Sequence, residues 1–107
     1  MGTKFVMTRD EKVLMIPVMK ELFKAQDYMH EHNQYNLFIN TAIEARATEQ
    51  TPYAVAHQMY LAQKLDEDMG YENPHLIEAR KIFKEVLKLL DKKALEKSLN
   101  IRKEFEA

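Results

Sequence analysis

Residues 51–74 read TPYAVAHQMYLAQKLDEDMGYENP, and the reading of this stretch decides the fold class. It opens on Thr51-Pro52 and closes on Asn73-Pro74, each a capping side chain directly before a proline. A threonine or asparagine at the N-cap accepts a hydrogen bond from a free N–H of the first helical turn. Proline at the next position loses nothing by lacking its own N–H. Gly70 stands where a helix opened at Thr51 needs a left-handed residue to close. The stretch therefore predicts a helix over 52–69 and the start of another at 74.

Outward from this stretch, breakers are scarce: the 107 residues contain two glycines and three prolines, too few for strands joined by tight turns. Thr8 followed by Glu11 forms a capping box that starts a first helix, predicted over 8–31 and closed by the polar stretch His30–Gln34. Met15, Val18, Leu22, Ala25 and Met29 then recur every three or four residues along one face. Pro17 interrupts that helix, and a kink or a restart near Ile16 is expected. A second helix over 35–47 carries Tyr35, Phe38, Ile39, Ala42 and Ile43 on one side, with Asn36, Asn40 and Glu44 on the other. From Pro74 the stripe Ala79, Phe83, Val86, Leu87 and Leu90 is regular, but Leu95, Leu99, Ile101 and Phe105 fall out of phase with it. That slip predicts a helix over 74–91, a bend around Asp91-Lys92-Lys93 and a tail helix over 93–105. The expected fold is all-α, a four- to five-helix bundle with short connections in a single domain, 1–107.

Composition narrows the function classes. With no cysteine, disulfides, thiolate metal sites and cysteine nucleophiles are excluded, and a reducing, cytoplasmic setting is expected. No apolar run approaches the roughly 18 residues of a membrane span; Val13–Met19, with Pro17 inside it, is among the longest. The only serine, Ser98, lacks a nucleophile elbow, and Gly2 and Gly70 alone cannot make a phosphate loop. Asp27 with His30 and Glu72 with His75 have the spacing of bundle metal ligands. The first pair falls in a polar helix end and the second straddles a cap. Asp66, Glu67 and Asp68 before Gly70 miss the register of a calcium loop. No catalytic residue, metal site or cofactor is expected.

What remains is surface. The helix from Pro52 is apolar on two sides: Val55, Met59, Ala62, Leu65 and Met69 on one, and Tyr53, Ala56 and Tyr60, with His57 between the tyrosines, on the other. The second side is either bundle rim or a partner surface, since tyrosine joins a large apolar ring to a polar tip. Charge is unevenly spread. Residues 44–73 carry two bases against six acids, and residues 74–107 carry nine bases against six acids. Asp66, Glu67 and Asp68 make a candidate acidic patch, and Arg80, Lys81, Lys84 and Lys88 a candidate basic face. The expected function is non-enzymatic: an adaptor, inhibitor or immunity-type antagonist that binds another protein or a second copy of itself through helix surfaces. The alternative is a small nucleic-acid-binding regulator using the basic face. The helix from Pro52 has one lysine and no arginine, which argues against that alternative.

Overall fold

The computed structural model describes residues 7–106, with side chains through Lys92. It is all-helical, with four helices and no strand among the described residues: α1 (Arg9–Glu31), α2 (Leu37–Ala47), α3 (Pro52–Met69) and α4 (Pro74–Glu106). Two contacts in each pair set the directions. Gln26 meets Asn40 and Lys12 meets Glu49, so α2 runs antiparallel to α1. Thr41 meets Gln58, and Asn36 meets Asp66, so α3 runs antiparallel to α2. Asn73 reaches the Ala25 carbonyl and His75 reaches Glu21, which lays α4 antiparallel along α1. The α1–α4 and α2–α3 pairs pack most closely, and the two pairs meet along looser seams, α1–α2 and α3–α4.

The helix starts follow the capping chemistry. Thr8 accepts from the Glu11 N–H while the Glu11 carboxylate accepts from the Thr8 N–H. Thr51 accepts from the Ala54 N–H. Asn73 Oδ1 accepts from the N–H groups of His75 and Leu76, while its amide donates to the Ala25 carbonyl across the core. The helix ends are less orthodox. α1, α2 and α3 all close on a left-handed residue, with a following N–H bonded back to a carbonyl of the last turn. Only α3 uses glycine there, Gly70 at φ 72°; the other two use Asn33 (φ 54°) and Glu49 (φ 58°).

One core gathers residues from all four helices, including Met15, Leu22, Met29, Ile39, Val55, Met59, Leu76 and Phe83. Unbranched methionines fill its irregular gaps.

Three sequence expectations are corrected. At Pro17, where a kink or a restart was expected, α1 continues without a restart. Pro17 and Val13 lie on an exposed side, where water can satisfy the Val13 carbonyl that the missing N–H leaves free. α2 begins at Leu37, not at 35. Asn36 is its N-cap and is wholly buried rather than on a polar face, and Tyr35 is exposed, its ring edge-on to His30. Met69 lies exposed at the end of α3, off the core stripe. The backbone of α4 is helical without a break at Asp91-Lys92-Lys93, so there is no separate tail helix. A slip in the apolar stripe ends a helix only when each turn must meet the same core, and the local residues (Lys, Ala, Leu, Glu) are good helix formers. The out-of-phase side chains Leu95, Leu99, Ile101 and Phe105 lie outside the described side chains.

Candidate functional site

The residues singled out by sequence come together only in part. Tyr53, His57 and Tyr60 lie on the outward side of α3, with Tyr53 52% and Tyr60 46% exposed. Ala56 turns toward α4 and lines a groove of about 210 Å³ with Met59, Arg80, Phe83, Lys84 and Leu87. Arg80 leaves the basic face to bridge this seam. Its guanidinium donates to Gln63 Oε1 and lies over the Tyr60 ring, 5.8 Å from the centroid, while Lys64 approaches the same ring at 5.6 Å. Burial, then the nearby Asp91 carboxylate, pushes the Tyr53 hydroxyl above its ordinary value. Lys81, Lys84 and Lys88 stay exposed, and Lys88 pairs with Glu85 at 3.3 Å.

The acidic patch is smaller than its sequence implies. Glu67 and Asp68 are exposed, but Asp66 is 6% exposed and faces inward. Its Oδ1 accepts from Asn36 Nδ2 at 2.6 Å, and the same amide donates to the Ala62 carbonyl at 2.6 Å. Burial raises the Asp66 pKa, and the Asn36 hydrogen bond pulls it partly back. A buried carboxylate is costly without a donor, so this contact joins the start of α2 to the end of α3.

Histidine chemistry is local. His75 Nδ1 donates to Glu21 at 3.1 Å, and Tyr28 stacks on His32 and meets His75 edge-on. Burial pushes Glu21 up, but hydrogen bonds from His75 and Lys24 outweigh it and hold the carboxyl below its usual range. His75 thus faces Glu21 across the helices rather than Glu72 beside it. Among the described residues no group of three histidine or carboxylate side chains is placed to hold a metal ion, and no helix is long and apolar enough to cross a membrane.

A further concavity lies along the α1–α2 seam. Ile16, Met19, Lys20 and Phe23 from α1 face Ile43, Arg46 and Ala47 from α2 around a groove of about 360 Å³. Met19 forms its buried floor, while Ile16 is 48% and Phe23 52% exposed; Val13, more than half exposed, lies one turn before Ile16. Residues 13, 16, 20 and 23 fall on one side of a helix whose core side carries Met15, Val18, Leu22 and Ala25. The sequence held a signal for this second side: apolar residues at 13, 16 and 23 interleave with the core stripe. It could be recognised as a groove only once the approach of α2 was known. The two polar lining residues are both cations, and no acid lines the groove. Compared with known proteins, the chain matches no family model, and no characterised protein or solved structure is significantly similar to it.

Proposed function

We propose that the chain is a non-catalytic interaction module, an adaptor or inhibitor built as a four-helix bundle, that engages another protein at the α1–α2 groove. The observation that carries this reading is the pair of half-exposed apolar side chains, Ile16 and Phe23, flanking a concave apolar floor. Leaving such groups in water costs roughly 25 cal/mol per Å² of apolar surface, a cost that a partner removes. A groove between two helices also suits a third helix, whose side-chain ridges fit between theirs.

The test is capture of partners from the native host with full-length wild type and with Phe23→Glu, alongside circular dichroism of both. A protein retained by wild type and lost with the folded variant supports the reading; identical capture profiles sink it. The tyrosine face is the rival surface. If Tyr53→Ala or Tyr60→Ala abolishes capture while Phe23→Glu does not, the module works through α3. Nucleic-acid binding is less well supported, because Arg80 is engaged by Gln63 and Tyr60, and Lys88 by Glu85. A low-salt gel shift that weakens steeply with salt and with charge reversal at Lys84 and Lys88 would revive it.

A further inference from the structure

We infer that the occupant of the α1–α2 groove is an acidic amphipathic helix of a partner protein: an apolar stripe two to three turns long, flanked by aspartate or glutamate. The inference rests on the functional reading above and adds the chemistry of the ligand.

The argument is one of local charge. Lys20 and Arg46 are the polar residues of the lining, one from each wall, and no ion pair of either is present among the described residues. Most acids of the two helices are engaged elsewhere or face other hollows. Glu11 caps α1, and Glu21 binds Lys24 and His75. Asp27 and Glu31 line the hollow beside His75, and Glu44 faces the α2–α3 side with Thr41 and Gln58. Glu49 is paired with Lys12 at 2.5 Å, and that contact, with a smaller pull from the Arg46 charge, holds its carboxyl below the ordinary range. An apolar floor between two cations, neither of them in a direct ion pair, selects a ligand with apolar residues inward and carboxylates at both edges. The length follows from α1: from Val13 to Phe23 is ten residues, a rise of about 15 Å, or nearly three turns. A helix is favoured over an extended segment because no sheet edge is available among the described residues to pair with one. A second copy docked by two-fold symmetry on this face would bring Lys20 and Arg46 toward their own counterparts, the wrong charge pattern.

The test uses the full chain and two synthetic peptides of about four turns, each held helical by a side-chain cross-link. Both carry leucine at i, i+3, i+4 and i+7; one has glutamate at the flanking positions, the other lysine. With isotope-labelled protein, the glutamate peptide is expected to shift amide signals around residues 13–23 and 43–47. It should bind about tenfold more tightly than the lysine peptide, the gain expected of two rim charge pairs. The double variant Lys20→Glu, Arg46→Glu, whose side chains lie outside the core, should reverse that preference. Equal affinity for the two peptides, preference for the lysine peptide, or shifts confined to α3 and α4 would overturn the inference. So would a protein dimer that Phe23→Glu dissociates while neither peptide binds, since the occupant is then a second copy. If the glutamate peptide fails to bind but a host protein is captured in a Phe23-dependent way, the ligand chemistry is wrong and the interaction module stands.

Discussion

The two seams of this molecule are built from the same materials and finished differently. Along α3–α4, Arg80 crosses to Gln63 and lies over Tyr60, so a polar bridge spans the seam and narrows it to a smaller groove of about 210 Å³. Along α1–α2, polar contacts close only the ends, Gln26 with Asn40 at one and Lys12 with Glu49 at the other. Between them lies the open apolar stretch from Ile16 to Phe23. A seam that only needed sealing could have been bridged midway as the other is. The contrast separates side chains that hold the pairs together from side chains that the fold leaves unused.

The sharpest way to break this distinction is to truncate neighbours. Leu22 is wholly buried, whereas Phe23, the next residue, is half exposed at the groove. Leu22→Ala should cost about 3 kcal/mol by urea denaturation, the usual result of emptying a core position. Phe23→Ala should cost less than about 1 kcal/mol while removing partner capture. If the two cost the same, Phe23 is a structural residue and the open seam is an illusion.

A somewhat smaller effect is expected at the polar contact between α2 and α3. Asn36→Ala removes the α2 cap and the donor to the buried Asp66 carboxylate, for about 2–3 kcal/mol near pH 7. The sign of its pH dependence follows from the raised pKa of Asp66. A carboxyl raised by folding favours the native state below its unfolded value and loses that contribution as pH rises through the folded value. Without Asn36 the ionised form is worse placed still. The variant should therefore be less destabilised, relative to wild type, at about pH 4 than near pH 7. An equal penalty at both pH values would mean that Asp66 finds another donor.

The smallest effect belongs to the bridged seam itself. Arg80→Ala should lower stability by about 1 kcal/mol through loss of the Gln63 hydrogen bond and the Tyr60 contact. It should also expose the α3–α4 groove without creating partner capture there. New capture through that face would show that any uncovered seam binds, and that the α1–α2 groove has no special chemistry.

How much of this was legible beforehand depended on range. The capping box at Thr8 and Glu11, the starts at Thr51-Pro52 and Asn73-Pro74, and the close at Gly70 are contacts within a few residues, so the local sequence states them. The core stripe of α1 was readable for the same reason. The ends of α1 at 31 and of α2 at 47 were legible too, although the residues that close them, Asn33 and Glu49, take the left-handed conformation usually left to glycine. Asn36 and Asp66 look like surface residues in sequence; the hydrogen bond that buries them spans 30 positions. The groove is hardest of all, because residues 13, 16 and 23 become a wall only after α2 has settled beside them. The stripe slip near Asp91 misled for a different reason: it describes what α4 can pack against, not whether its backbone can stay helical.

The antiparallel course of α1 and α4 has a practical corollary. Met7 donates its N–H to the Glu49 carbonyl, and α4, about 50 Å long at 33 residues, runs back toward that same pole. The exposed first turn of α1 at Arg9 and the far end of α4 therefore lie toward one pole of the molecule. A surface-anchored bait or a pair of fluorophores mounted there leaves the flank with Ile16 and Phe23 unobstructed, and brings the two attachment points onto the same side for any proximity readout.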